Sequence, residues 1–510
     1  MNTCRYKTTS LILSAALAAS LCACSSGGPE SLSTNPTVTE TASTSTETTA
    51  ESSSADFITE PSTSASLADT DFVRIVDGVS PEMMNPDFWI SEDDNEILMT
   101  SDEIAEFNYA NRVHQKTGDG VQMPYFDEYE DTLDGNILRA FLNENASMAP
   151  KDPSRYYLNG NKTTKEYWDD LIKLSNIEGI PDEIEVRFGF TVKRMTLRLF
   201  PTEDRVFEDP SDELFDYMLY AECMPYMPVL ILHESLDGEY LYVVFDSYAS
   251  WVRKDAVAMC KDRDDWNDRQ NPEHWLTVTG RELRLGDDPY VEAVRDLVLP
   301  MGTRMELIPS SEAPSSISNR STYGNYIVKV PTRGTDGFIK DEYVLIPISD
   351  DATIGYLPLT SANIVRQAFK LLGDRYGWGG DLRANDCTGI TREIYRCFGI
   401  LLPRVGQSGS TGVYKVDMSD MSSEEKLEVI KDLAPGSLIS MPGHMTIYLG
   451  TVDGIPYVIS ATGSFSVPAP GPTETIHANT VIVTSIYVRL SSQKTWLDAM
   501  KTALTLKKAE

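Results

Sequence analysis

The chain is poor in cysteine, histidine and basic residues. Among 510 residues there are seven cysteines and five histidines, and 44 lysines and arginines stand against 77 aspartates and glutamates. The resulting net charge of −33 argues against a nucleic-acid-binding protein and against electrostatic attraction to an anionic membrane surface. Apolar runs are also short, so the sequence predicts no membrane-spanning helix.

Cysteine usage excludes a disulfide-rich scaffold. Beyond residue 24, only Cys223, Cys260, Cys387 and Cys397 remain. Four cysteines are too few to cross-link a body of roughly 440 residues. A bridge between Cys223 and Cys260 is an open alternative to two free thiols. No CxxC pair or His/Cys cluster indicates a metal site, and we expect no cofactor.

The first residues have the pattern of a bacterial lipoprotein signal. Arg5 and Lys7 precede a short apolar run at 11–21, and Leu-Cys-Ala-Cys at 21–24 fits a lipobox. We expect residues 1–23 to be a signal peptide, with cleavage before Cys24 and a diacylglyceryl group on the Cys24 sulfur. Ordinary secretory cleavage is the alternative. The prediction is an extracytoplasmic protein held at the membrane by its lipid anchor alone.

Composition divides the remaining chain into a tether and several compact units. Residues 24–69 are mostly Ser, Thr, Glu, Ala and Pro without a basic residue, which predicts a disordered tether spanning on the order of 35–40 Å. Residues 70–186 have helical patterns, including acids at 102 and 103 before an apolar-periodic run and an amphipathic turn at 165–172. Short strand patterns bounded by turn residues follow at 187–262 and 274–349, as two small β-barrels require.

The strongest chemical signal is a cysteine at the start of a predicted helix. A Tyr-Gly-Trp-Gly-Gly turn at 376–380 precedes Asp386, and apolar residues recur at helical spacing through 388–398. Asp386 is a good capping residue, which places Cys387 in the first helical turn, where unpaired N–H groups and the helix dipole favour a thiolate. The alternative is a buried, inert cysteine, a description that suits Cys397.

His444 is the candidate base. Apolar runs at 445–449 and 457–459 flank the turn residues Gly450, Asp453 and Gly454, so a hairpin is predicted. Alternation places His444 at the start of the first strand, on the face away from Met445. A thiol with a histidine is the minimum apparatus of a cysteine hydrolase.

These residues resemble the NlpC/P60 family of cell-wall peptidases. The resemblance implies a papain-like α+β fold over about 355–510 and hydrolysis of peptidoglycan stem peptides, usually between γ-D-glutamate and a diamino acid. Six short motifs carry it in the family's order and spacing: 363–373, 376–380, 386–389, 402–404, 435–438 and 444–450.

The third catalytic position departs from the family pattern. Relatives generally orient the histidine with a polar residue of the next strand, commonly another histidine, whereas the aligned residue here is Ser460. A serine can accept the ring N–H, but it cannot stabilise an imidazolium as a carboxylate does. Thr462 and His477 are alternatives, although we expect His477 and Asn479 to lie on a loop.

The resemblance also implies four substrate-binding residues. Asp386 would bind the free amino end of the stem peptide, with Thr388 in place of the usual serine. Tyr376 would close the cleft or serve in packing, and Tyr248 would line the cleft from the first barrel and limit substrate length. Arg404 is expected to form a structural ion pair.

The predicted fold class is multidomain α+β. Residues 70–186 resemble the helical clip that braces the SH3 domains of multidomain relatives, and the barrels at 187–262 and 274–349 resemble bacterial SH3-like domains. The whole chain is therefore predicted to be a lipid-anchored cysteine endopeptidase acting on stem peptides or muropeptides. The alternatives are a catalytically degenerate wall-binding lipoprotein, or an amidase or acyl transferase using the same pair.

Overall fold

The computed structural model describes residues 72–151, 154–404, 414–467 and 474–506. The predicted signal peptide, Cys24 with its predicted lipid and the whole predicted tether lie outside these residues and stay predictions. Among the helices of the described ranges, none is both long and apolar enough to cross a membrane.

The helices begin at polar capping residues, as their sequences predict. Thr100 accepts a hydrogen bond from the backbone N–H of Glu103, and the Glu103 carboxylate accepts from the Thr100 N–H at 2.9 Å, so two otherwise unpaired donors are satisfied. The α-helices of the described chain are α1 Ser101–Ala110, α2 Gly135–Ser147, α3 Lys165–Leu174, α4 Arg263–Gln270, α5 Ser361–Lys370, α6 Cys387–Arg396, α7 Ser423–Lys431 and α8 Trp496–Ala499.

The N-terminal region contacts two parts of the molecule. Trp89 and Phe107 are buried in the core of the C-terminal domain, and the Leu98 N–H donates to the Leu359 carbonyl at 2.9 Å. Leu138 and Leu142 of α2 instead pack into a core shared with the first barrel. The region therefore bridges the barrel and the C-terminal domain. Its strands are β1 Thr132–Asp134, β2 Tyr156–Tyr157 and β3 Glu183–Glu185.

The first barrel is a seven-stranded antiparallel sheet in the order β11-β4-β8-β9-β10-β5-β7, while β6 pairs with β2. Cys223 and Cys260 are free and buried in two different cores, so the bridge considered between them is wrong. The strands are β4 Arg187–Thr191, β5 Met195–Arg198, β6 Val206–Phe207, β7 Leu219–Cys223, β8 Pro228–Glu234, β9 Tyr240–Val244, β10 Ala249–Arg253 and β11 Val257–Met259.

The second barrel contains a five-stranded sheet in the order β19-β18-β15-β12-β20, with two added hairpins. Its last strand, β20, pairs with β12 and lies beyond residue 349, where we predicted the domain to end. The strands are β12 Trp275–Val278, β13 Glu282–Arg284, β14 Val298–Pro300, β15 Arg304–Leu307, β16 Ser316–Ile317, β17 Arg320–Ser321, β18 Asn325–Arg333, β19 Ile339–Pro347 and β20 Ala352–Ile354.

The C-terminal domain is built on a six-stranded sheet in the order β21-β26-β22-β23-β24-β25. Its faces are covered by different helices. Met445 and Ile447 of β23 share a core with residues of α5 and α6, whereas Tyr448 shares a core with residues of α7 and α8. The strands are β21 Lys415–Asp417, β22 Leu438–Met441, β23 His444–Val452, β24 Ile455–Val467, β25 Glu474–Ser485 and β26 Thr502–Leu504.

Candidate active site

Cys387 is the first residue of α6, as its sequence context predicts. Asp386 is the N-cap: its backbone is extended, and its side chain accepts hydrogen bonds from the N–H groups of Thr388 at 3.1 Å and Gly389 at 2.8 Å. The Cys387 N–H is not among the donors that the Asp386 carboxylate engages. This geometry leaves a backbone donor beside the thiol.

The turn before α6 brings the chain close to the first barrel. Gly379 and Gly380 have φ of +56° and +85°, in the left-handed region that favours glycine. A Cβ on Gly380 would lie 2.3 Å from the Glu222 Cβ of the barrel. Glycine is therefore required here for both backbone conformation and space.

The Asp386 carboxylate is buried and fully engaged. Besides the helix N–H groups, it accepts from the Gly379 N–H at 3.1 Å and pairs with the Arg404 guanidinium through both of its oxygens. Burial by itself raises the pKa of Asp386, but Arg404 and the N–H donors outweigh it and hold that pKa below its usual range. The structural ion pair expected of Arg404 is present.

His444 begins β23 and is hydrogen-bonded to the next strand. Its Nε2 lies 3.1 Å from the Ser460 Oγ, and its ring lies edge-on to Trp496 with centroids 4.8 Å apart. Ser460 is fully buried, and its Oγ lies 2.9 Å from the Thr462 Oγ1. The candidates for the third catalytic position are Ser460, Thr462 and His477. Among them, Ser460 is in direct contact with His444.

His477 and Asn479 do not lie on a loop. Both belong to β25, and His477 pairs with Ser464 near the far end of β24. The loop prediction is wrong because β24 and β25 continue well past the hairpin that the apolar runs indicate. Asn479 also accepts a hydrogen bond from the Tyr376 N–H at 2.9 Å through its carbonyl.

The contact of α6 with β23 places the Cys387 thiol beside the strand start that His444 occupies. The N–H of Met445, the residue after His444, interacts with the Cys387 thiol. Burial raises the pKa of Cys387 to about 12, the Asp386 charge acts in the same direction, and the Met445 N–H and Arg404 oppose them. Burial therefore outweighs the thiolate-favouring helix terminus expected from the sequence.

Burial shifts the pKa of His444 in the opposite direction from that of Cys387. It lowers the pKa of His444 to about 4, with the Asp386 charge opposing the shift. Both shifts favour the neutral thiol and the neutral imidazole at neutral pH.

Two family models match the chain. Residues 373–503 match the NlpC/P60 family, and residues 205–253 match the SH3 domain of the SH3b1 type. The C-terminal domain is an NlpC/P60 domain. The family consists of cysteine peptidases that act on peptidoglycan. The resemblance drawn from the motifs is thereby confirmed, as is the multidomain α+β fold class.

Two solved structures are similar to the chain at low sequence identity. An NlpC/P60 endopeptidase from Photobacterium damselae subsp. piscicida is 18% identical, with a TM-score of 0.65 over 84% of this chain and 98% of its own. An NlpC/P60 family protein from Bacillus cereus ATCC 10987 is 16% identical, with a TM-score of 0.42 over 62% of this chain and 99% of its own. Among curated proteins, none matches the sequence.

The predicted substrate-binding residues surround the start of the NlpC/P60 helix α6. The Thr388 hydroxyl donates to the Asp386 carboxylate at 3.0 Å. Tyr376 is largely buried, with its ring centroid 6.3 Å from that of Phe215. Their roles toward substrate stay predictions, as does that of Asp386, whose carboxylate is paired with Arg404 in this structure.

Tyr248 joins the first barrel to the NlpC/P60 domain. Only 2% of its surface is exposed, its hydroxyl donates to the Glu222 carbonyl at 3.1 Å, and it accepts from the Arg392 Nη1 at 3.2 Å. The ring is thus held by contacts within the protein. Its predicted role in limiting substrate length stays a prediction.

Sequence reasoning missed a charged cluster between the first barrel and α6. Arg194, Glu222, Arg392 and Glu393 belong to it, and burial raises the pKa of Glu393 above its usual range while Arg194 opposes the shift. On a helix, adjacent Arg392 and Glu393 are typical of a solvated face. The described residues contain no group of three or more His, Cys, Asp or Glu that could hold a metal ion.

Proposed function

We propose that the protein is a lipid-anchored cysteine endopeptidase that hydrolyses peptidoglycan stem peptides. In this proposal Cys387 is the nucleophile, His444 is the general base and acid, and Ser460 orients the imidazole. One observation carries the proposal: the contact of α6 with β23 brings Cys387 to the strand start at which His444 is hydrogen-bonded to Ser460. The match of residues 373–503 to a family of cysteine peptidases supports the same reaction class.

The hydroxyl groups on β24 support one tautomer of His444. The Thr462 Oγ1 lies 3.4 Å from the Ser460 carbonyl oxygen. Because a carbonyl oxygen can only accept, the Thr462 hydroxyl is the donor in this contact. If Thr462 donates there, it accepts from Ser460, and Ser460 in turn accepts from the His444 Nε2–H. The Nδ1 atom then carries the lone pair that receives the proton of the Cys387 thiol.

The reaction follows from this arrangement. As the Cys387 sulfur forms a bond to the scissile carbonyl carbon, His444 takes the thiol proton, and the Cys387 N–H stabilises the oxyanion. His444 then returns the proton to the leaving amine as the C–N bond breaks. A water molecule, deprotonated by His444, hydrolyses the thioester and regenerates the thiol.

The charge states favour proton transfer during attack over a preformed ion pair. With the pKa of Cys387 raised to about 12 and that of His444 lowered to about 4, a thiolate–imidazolium pair is disfavoured in the resting site. Because Ser460 is a neutral partner, it gives the imidazolium less stabilisation than a carboxylate would. We therefore expect general-base catalysis without an ion pair in the free enzyme.

The finer parts of the proposal concern the bond and the location. We propose the γ-D-glutamyl–diamino acid bond as the target, since the six motifs at 363–450 resemble peptidases of that specificity. We further propose that Cys24 carries the lipid that keeps the enzyme at the membrane, because residues 1–24 fit a lipoprotein signal.

The test is mass spectrometry of defined muropeptides and free stem peptides incubated with the protein, with Cys387→Ala as the matched control. New fragments that end in D-glutamate and are absent with Cys387→Ala would support the endopeptidase. Fragments cut at the amide between glycan and peptide would support an amidase instead. A folded protein that binds wall material without cutting any substrate would favour the wall-binding alternative.

A further inference from the structure

The segment at 379–385, which precedes α6 and Cys387, contains residues with an unfavourable backbone conformation. Leu382 and Arg383 have φ of +59° and +57°, and neither is a glycine. Side chains with a Cβ clash with their own carbonyl in this region, so such residues persist only where the surroundings hold them. They follow Gly379 and Gly380, which have positive φ as well. Something outside the segment must therefore stabilise it.

The stabilising contacts come from Arg194, just before β5 of the first barrel. Its Nη1 donates to the Arg383 carbonyl at 3.1 Å, and its Nη2 donates to the Ala384 carbonyl at 3.0 Å and to the Asn385 Oδ1 at 3.4 Å. One guanidinium thus holds three consecutive residues, because its planar fork presents several donors in fixed directions.

Arg194 is itself fixed within the barrel. Its Nε donates to the Glu222 Oε2 at 2.6 Å, and the two side chains are only 14% and 10% exposed. Glu222 also lies directly beneath Gly380. A second ion pair, between Arg205 and Asp381, joins the barrel to the same segment.

The segment leads directly to the nucleophile. The residue after Asn385 is the helix cap Asp386, and Cys387 follows. Asn385 also donates through its amide to the Glu393 carboxylate of α6 at 2.8 Å. Displacement of residues 383–385 would therefore move the start of α6 relative to His444.

We propose that Arg194 of the first barrel is a positioning residue for Cys387, acting through the segment at 383–385. This inference rests on the proposed peptidase function and adds that the barrel is part of the catalytic framework. Arg194 contacts the segment's carbonyls and the Asn385 amide oxygen, so it acts on geometry and not on the reacting atoms.

The first experiment compares Arg194→Ala with Lys193→Ala in the full chain. Lys193 is the neighbouring cation, but it forms an exposed ion pair with Asp255 within the barrel. Arg194→Ala is expected to lower kcat about 10- to 100-fold with KM little changed, because small misplacements of a nucleophile are costly in rate. Millimolar guanidinium should restore part of the activity. Lys193→Ala should behave as wild type.

A second measurement does not depend on activity. Hydrogen exchange of the amides at 378–386 should accelerate in Arg194→Ala, while exchange in the distant α7 stays unchanged. Unchanged exchange at 378–386, or a loss of kcat in Lys193→Ala equal to that in Arg194→Ala, would overturn the positioning role. An inactive wild-type protein would count against the peptidase proposal alone, and the exchange result would then decide the role of Arg194.

Discussion

The two sides of helix α6 differ in the charge state of the groups buried against them. On one side, the Cys387 thiol lies beside the strand start where His444 is hydrogen-bonded to Ser460, and burial shifts the pKa values of thiol and imidazole toward their uncharged forms. On the other side, ion pairs join Arg392 to Asp246 and Arg194 to Glu222, while burial raises the pKa of the neighbouring Glu393 to about 8. The buried Asp386–Arg404 ion pair at the start of the helix belongs to this charged side.

Burial away from water therefore has a different consequence on each side of the helix. A buried neutral pair resists ionisation, so the proton is transferred only during the reaction with the substrate. Buried opposite charges instead fix distances and directions, because leaving either unpaired is costly. In this molecule the neutral side is suited to chemistry, and the charged side is suited to holding the helix and its preceding segment in place.

The charged side should be the more sensitive to truncation. Arg404→Ala leaves the buried Asp386 carboxylate without its cation and is expected to lower the free energy of unfolding by about 3–5 kcal/mol. Urea unfolding measures the loss. Arg404→Lys, which keeps the charge but not the two-pronged contact, should lose less. A change below about 1 kcal/mol in Arg404→Ala would show that the backbone N–H donors alone suffice for Asp386.

The neutral side should respond to pH. Below its ordinary pKa of 6.5, His444 takes up a proton in the unfolded chain, whereas in the folded protein its lowered pKa of about 4 resists uptake. Folding stability should consequently fall as the pH drops from about 6.5 to about 4. The expected contribution is about 3 kcal/mol, since each pKa unit corresponds to about 1.4 kcal/mol, and the change should be smaller in His444→Asn. Urea unfolding across this range measures it, and identical slopes in both proteins would contradict the buried neutral imidazole.

Ser460→Ala should affect rate more than folding. The substitution removes one neutral hydrogen bond to His444, of about 1 kcal/mol, so kcat should fall about fivefold while the protein stays folded. Kinetics on a stem peptide measure the change, with Thr462→Ser as the control that keeps the neighbouring hydroxyl. Wild-type kcat in Ser460→Ala would exclude Ser460 as the orienting residue.

The smallest effect is expected where the second barrel meets the NlpC/P60 domain. Arg281 pairs with Asp374 at 2.9 Å, but its side chain is 60% exposed. Arg281→Ala should change the free energy of unfolding by less than about 1 kcal/mol and leave kcat unchanged. A loss of kcat comparable to that expected of Arg194→Ala would mean that both barrels position the active site.

The residues nearest the chemistry were predictable because their signals are local. A capping aspartate before an amphipathic run predicts where a helix begins, and an apolar alternation after His444 predicts a strand. Both elements are present with these residues at their starts. The hairpin turn near Asp453 placed Ser460 or Thr462 across from His444, and the structure shows that Ser460 makes the contact.

Other features depend on which surfaces meet and could not be predicted. Arg392 and Glu393 are consecutive charged residues of a helix, and only the first barrel's packing against α6 turns them into buried partners. Arg194 gives no local signal either, since its acceptors lie some 190 residues away along the chain. The same packing explains why burial, and not the helix terminus, dominates the pKa of Cys387.

The sequence by itself determined the NlpC/P60 identity of the C-terminal domain, the placement of Cys387 and His444 at element starts, and the α+β class. These depend on capping, periodicity and motif spacing, which act between residues close in the chain. Only the tertiary structure decided that the N-terminal region bridges two domains, that burial favours the neutral thiol and imidazole, and that a barrel arginine contacts the segment before Cys387. Desolvation and long-range pairing arise when distant surfaces come together, so no local pattern encodes them.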